Sequence, residues 1–191
     1  MQRDGFFYVP PQSKNAPVLL FLHGATGSGE RAIQRFIDYA NRTGTIVIAP
    51  DSREHTWGVV LDDDRADTRI LDLALDKIFK RYSVDAKRVV IGGFSDGASA
   101  ALTWGLLNGD LFSGVAAFSP GFLRLDTAPA GKPKVFISHG TEDSILPIDR
   151  CGRRVARILK DAGYTVNYQE FEGEHTVPPE IRDLGLAWLM A

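Results

Sequence analysis

Apolar bursts and helix-spaced patterns alternate along the whole chain. "APVLLFLHG" (16–24) is a run of buried-strand residues that stops at His23-Gly24. In "RAIQRFIDYANRTG" (31–44), Ile33, Phe36, Ile37 and Ala40 recur at helical spacing and Gly44 closes the pattern, which predicts one helix. "TIVIAP" (45–50) is the next strand, ended by Pro50, and residues 51–65 carry no clean period and read as a loop or short excursion. "ADTRILDLALDKIFKRY" (66–82) is an amphipathic helix, "RVVIGGF" (88–94) a strand, and Ser95 to Leu107 a helix rich in small residues. Then come a strand at 113–120, a loop at 121–131, a strand at 134–140, a helix at 149–163, a strand at 165–171 and a closing helix at 178–191. The prolines of that last helix stand at its start, where a missing N–H costs nothing.

Strands separated by helices of this length predict βαβ units and a mostly parallel sheet. The strands are continuous Val/Ile/Leu/Phe runs rather than alternating ones, as strands covered on both faces should be. In such sheets active groups collect at the carboxyl ends of the strands. Four of those ends carry chemistry: His23-Gly24, Ser95, His139-Gly140 with Asp143 just beyond, and His175.

Composition narrows the function classes. The 191 residues suit a single domain over 1–191, and the 44% hydrophobic and 24% charged content is that of a soluble globular chain. A formal net charge of -2 gives no basic field for nucleic acid and no strong overall steering of anions. One cysteine, Cys151, excludes a disulfide framework and fits a reducing, cytoplasmic setting. The opening "MQRDGFFYVPP" has no apolar core of a signal peptide, and no run approaches the roughly 18 apolar residues of a transmembrane helix.

Gly93-Phe94-Ser95-Asp96-Gly97 between a strand and a helix has the form of a nucleophile elbow. The alternative is a tight turn whose serine caps the helix. As a nucleophile, Ser95 requires a base. His23 stands before a glycine turn, His55 in the aperiodic loop, and His139 at a strand end, a buried position. His175 lies in "EFEGEHTVPPE", a loop able to hang over a distant strand end, and is the favoured base. Chain order puts the orienting acid between serine and histidine, where "SHGTEDSILPI" offers Glu142 and Asp143; Asp143 is preferred. The N–H groups of Ala25, in "LHGATGSGE" (22–30), and of Asp96 are the candidate oxyanion donors. That glycine-rich loop lacks both the Lys-Ser/Thr ending of a P-loop and the glycine spacing of a dinucleotide fingerprint. The "DDD" run (62–64) has no histidine or cysteine company and suits a solvated loop better than a cation site. No metal and no organic cofactor is expected. Trp57, Phe122, Leu123, Ile145 and Leu146, in loops after strands, are candidate walls of a substrate pocket.

With these residues in place the chain resembles the α/β-hydrolase superfamily, and within it the phospholipase/carboxylesterase and acyl-protein thioesterase group. The matching segments are "LLFLHGATGSG" (19–29), "VVIGGFSDGASAAL" (89–102), "GVAAFSPG" (114–121), "VFISHGTEDSILPI" (135–148) and "YQEFEGEHTVPPEI" (168–181), in that order. The resemblance implies a compact three-layer α/β/α sandwich with little or no cap, and Ser95, Asp143 and His175 as a catalytic triad. It implies a serine ester hydrolase, and the short, charged 52–66 segment, which leaves little to shape an acyl groove, narrows the expectation to a serine carboxylesterase for short to medium acyl esters. Its neighbours are lysophospholipase, thioesterase or feruloyl-type esterase, then peptidase or amidase, then a non-catalytic binding protein. The group carries glutamine after the nucleophile where this chain has Asp96, so that carboxylate should point away or be paired. The expected partner is a small-molecule ester, and a homodimer stays open.

Overall fold

The computed structural model describes residues 4–61, 63 and 65–191. Asp62 and Asp64 of the "DDD" run lie outside the described residues, as do Met1, Gln2 and Arg3 at the start of the chain. The strands are β1 (Gly5–Tyr8), β2 (Ala16–Leu22), β3 (Ile46–Pro50), β4 (Val84–Phe94), β5 (Gly114–Phe118), β6 (Lys134–Gly140) and β7 (Val166–Phe171). The helices are α1 (Gly29–Gln34), α2 (Ile37–Thr43), α3 (Gly58–Leu61), α4 (Arg65–Arg81), α5 (Asp96–Leu107), α6 (Gly152–Asp161) and α7 (Pro179–Met190).

One sheet runs β1-β3-β2-β4-β5-β6-β7, parallel throughout except for the antiparallel β1–β3 pair. Successive side chains leave opposite faces of each strand. Leu20, Leu22, Ile46 and Ile48 therefore join the core shared with α3, α4, α5 and α6. Leu19, Phe21, Val47 and Ala49 join the one shared with α1, α2 and α7. The result is the expected α/β/α sandwich with a mostly parallel sheet.

Three elements depart from the sequence pattern. The single helix expected over 31–44 is two helices. Ser28 caps α1 through its side chain, and α2 ends at Gly44 in the left-handed region. Between them the Arg35 carbonyl accepts from the Arg182 guanidinium rather than continuing the helical ladder. Residues 51–65 are not all loop, because Gly58–Leu61 forms α3. The four-residue β1 was not foreseen; its Gly5–Tyr8 stretch is too short for a period.

The strand order sets the place of the site. From β2 the chain moves outward to β3, then crosses back to β4 on the other side of β2. A crevice opens at such a reversal, outside the carboxyl ends of the two strands. Ser95 follows β4 there, and Gly24-Ala25 follows β2.

Candidate active site

Ser95 sits between β4 and α5 with φ 58 and ψ -121. For a residue with a Cβ this region costs about 1–3 kcal/mol and persists only where the surroundings impose it. They do: the Ser95 N–H donates to the Phe118 carbonyl at 3.0 Å, and its own carbonyl accepts from Ala98 and Ser99. A Cβ on Gly93 would overlap the Gly97 carbonyl, and one on Gly97 would overlap the carbonyls of Leu22 and His23. Both glycines of the motif are thus required by close backbone approach. The Ser95 side chain makes no capping bond to α5, so the alternative of a helix-capping serine is not what the turn adopts.

Asp143 and His175 meet directly. His175 Nδ1 lies 2.6 Å from Asp143 Oδ2, while Asp143 Oδ1 accepts from the N–H groups of Ile145 (3.0 Å) and Leu146 (2.8 Å). Burial works to raise the Asp143 carboxyl pKa; the Leu146 N–H and the His175 imidazole outweigh it and hold the group below the usual carboxylate range. Glu142 is exposed and turned to solvent. Phe94, the residue before Ser95, packs its ring on the His175 ring at 4.6 Å between centroids.

Near the turn, Ala25 is exposed in the loop after β2, and the would-be Cβ of the adjacent Gly24 stands 3.3 Å from Ser95 Cβ. The Asp96 N–H belongs to the first turn of α5, where backbone donors lack intrahelical partners. The Asp96 carboxylate is turned aside and paired, since Thr56 Oγ1 donates to it at 2.7 Å.

The pocket candidates divide. Trp57, expected in a wall, is a core residue instead: it is 0% exposed, its Nε1 donates to the His23 carbonyl at 2.7 Å, and its ring meets Trp104 edge-on. Leu123 likewise packs on the core. Phe122 is half-buried, Leu146 lies beside Gly121, and Ile145 is 67% exposed. Ser99 Oγ, which sequence reasoning missed, accepts from the N–H groups of Gly121 and Phe122 and ties that loop to the nucleophile turn. Also missed were Thr56, in a segment without period, and Phe94, whose place beside Ser95 was the available clue. His139 is buried at the end of β6, as its sequence position predicts, and its Nε2 also reaches Asp143 Oδ2 at 3.1 Å.

A family model described as phospholipase/carboxylesterase matches residues 64–183. The chain belongs to this family. Acyl-protein thioesterase 1 of Emericella nidulans is 32% identical over 112 residues, covering 53% of this chain and 46% of the relative. A bifunctional acetylxylan esterase/xylanase of Neocallimastix patriciarum is 29% identical over 152 residues, covering 75% of this chain and 22% of the relative. The chain therefore spans less than half the length of either of these two relatives. Among solved structures, esterase PE8 superposes with a TM-score of 0.79 at 21% identity, covering 97% of both chains. A phospholipase/carboxylesterase from Dyadobacter fermentans superposes at 0.73 with 22% identity, covering 99% of this chain and 97% of that one. These likenesses place this phospholipase/carboxylesterase-family chain in the α/β-hydrolase fold. Among the described residues no cluster of metal-ligating side chains occurs, and no helix is long and apolar enough to cross a membrane.

Proposed function

We propose that this chain, acting as one domain, is a serine carboxylesterase for short to medium acyl esters. The observation that carries the reading is the 2.6 Å bond from His175 Nδ1 to Asp143 Oδ2, with the His175 ring packed on Phe94, the residue before Ser95. With Nδ1–H held by Asp143, the free Nε2 lone pair is the base. It takes the Ser95 proton as the hydroxyl attacks the ester carbonyl. The N–H groups of Ala25 and Asp96 receive the oxyanion, which they stabilise more than the ground-state carbonyl. His175 then protonates the leaving alcohol and activates the water that releases the acid. Phe122, Ile145 and Leu146 form the rim beside the acyl-enzyme, whereas Trp57 and Leu123 support it from the core. No step calls for a metal or organic cofactor. The named activities of the two curated relatives, thioester and acetyl-ester cleavage, are both acyl transfer to water and support the same reading. The buried, unpaired Cys151 thiol supports a cytoplasmic setting.

Purified Ser95→Ala protein should lose nitrophenyl-ester turnover while keeping its melting curve. A fluorophosphonate should label the wild type once, with the adduct mapping to Ser95. Asp143→Asn should lower kcat by about 10⁴-fold, the order found for the same change in a serine protease, and Glu142→Gln should change it little. Substantial turnover by Ser95→Ala, or a reversed ranking of the two acid variants, would overturn the assignment.

A further inference from the structure

Beside the nucleophile turn lies a cavity of about 190 Å³, bounded by Ala25 and its loop, by α1, and by Phe94 and Val177. This is well below the several hundred Å³ of a pocket for a drug-sized ligand, so it receives one arm of a substrate. Its floor is apolar, with Phe36 and Phe94 contributing rings. Three guanidinium groups also line it: Arg31 and Arg35, which are exposed, and Arg182, which is buried.

The three guanidinium groups differ in circumstance. Arg182 is buried and neutralised. It pairs with Asp183 at 2.7 Å, stacks over the Phe36 ring at 5.2 Å and donates to the Arg35 carbonyl. Arg31 and Arg35 are exposed, and among the described residues no carboxylate is bonded to either guanidinium. They stand four residues apart on one helical turn, a spacing at which like charges destabilise a helix. Two uncompensated positive charges thus face the mouth of an apolar cavity whose other wall is the oxyanion loop. The counter-charge this arrangement lacks is an anion on the substrate.

We propose that the preferred substrates are esters with one arm ending in a carboxylate, which Arg31 and Arg35 bind while the apolar part of that arm fills the cavity. The inference rests on the Ser95 reading for the placement of the ester carbonyl. Two matched pairs locate the arm. For the acyl side, 4-nitrophenyl hemiglutarate is compared with 4-nitrophenyl valerate. For the alcohol side, 4-acetoxybenzoate is compared with its methyl ester. The wild type should favour the anionic member of one pair by about 10-fold in kcat/KM, the order for two exposed ion pairs acting together. That ratio should fall as salt is raised. Arg31→Gln with Arg35→Gln should abolish the preference, and Arg31→Lys with Arg35→Lys should keep most of it. Calorimetric titration of Ser95→Ala protein with glutarate reads the subsite without turnover, and adding the two glutamine changes should weaken binding about 10-fold. The proposal is overturned if neither pair favours the anion, if the preference survives the glutamine changes, or if glutarate binds equally with and without the arginines, or not at all. Failure of the Ser95 reading shows separately, as ester turnover by the Ser95→Ala protein.

Discussion

His139 Nε2 stands 2.8 Å from the Leu146 carbonyl oxygen and 3.1 Å from Asp143 Oδ2, and both of these atoms only accept. The proton therefore sits on Nε2, and the imidazole meets the same Asp143 Oδ2 that His175 Nδ1 reaches. Nδ1 is buried without a partner, so a second proton there would be an unmet donor. Burial accordingly pushes the His139 pKa below the usual histidine value. With the folded pKa depressed, the unfolded chain takes up the proton first as pH falls below about 6.5. The stability owed to neutral His139 is complete above that value and is lost as pH falls toward the folded pKa. The depressed pKa of Asp143 adds a further loss at lower pH. Melting temperature should thus fall from pH 8 to pH 5, and His139→Gln, which keeps a donor near the Nε2 position, should show a shallower fall. An equal or steeper slope in the variant would count against a neutral His139. At this scale the Ser95 turn and the Asp143–His175 pair were legible as candidates, because each stands at or just beyond a strand end in a recognisable local setting. It could not expose Thr56 as the partner of Asp96, since only the fold brings a residue from an aperiodic loop to that carboxylate.

The elements show where periodicity is enough and where it is not. Strands β2 and β5, buried at every position, were legible as unbroken apolar runs. The break between α1 and α2 was not, because Ile33, Phe36 and Ile37 keep helical spacing across it. At the break the Arg35 carbonyl accepts from a guanidinium of α7, a partner distant in sequence. The close contact of α5 with β2 lies between these cases: Gly97 is visible in the motif, but its neighbours are not. In the fold its Cα faces the Leu22 and His23 carbonyls with no room for a methyl group. Gly97→Ala should force α5 off the sheet at a cost of about 3 kcal/mol, near the top of the overpacking range. For a chain of this size that lowers the melting temperature by roughly 6–12 °C. The shift should take the Asp96 N–H with it, so ester turnover should fall in protein that is still folded at assay temperature. A melting curve matching the wild type would mean that the helix can retreat without strain.

Across the whole molecule, the sheet order decides which strand ends share a crevice, and no local pattern encodes that order. It also decides what surface remains for a substrate. In the 52–66 segment Trp57 and Val59 are buried, and half-buried Val60 packs on the same core. The Asp67 carboxylate holds the segment down by accepting from the N–H groups of Arg53 (2.9 Å) and Gly58 (2.6 Å). The described part of this stretch leaves only Leu61 as an exposed large apolar side chain, so it offers no long groove wall. A buried methylene contributes about 0.8 kcal/mol, or close to fourfold in kcat/KM, only while a wall exists to bury it. For uncharged nitrophenyl esters, kcat/KM should therefore climb from acetate, peak at butyrate to hexanoate, and flatten or fall beyond about eight carbons, where added methylenes stay wet. A groove over Phe122, Ile145 and Leu146, completed by a second copy of the chain, predicts instead a continued rise to dodecanoate or palmitate. Initial rates along the series from acetate to palmitate, each ester kept below its micelle concentration, separate the two. A maximum at dodecanoate or longer would move the chain toward a lysophospholipase role.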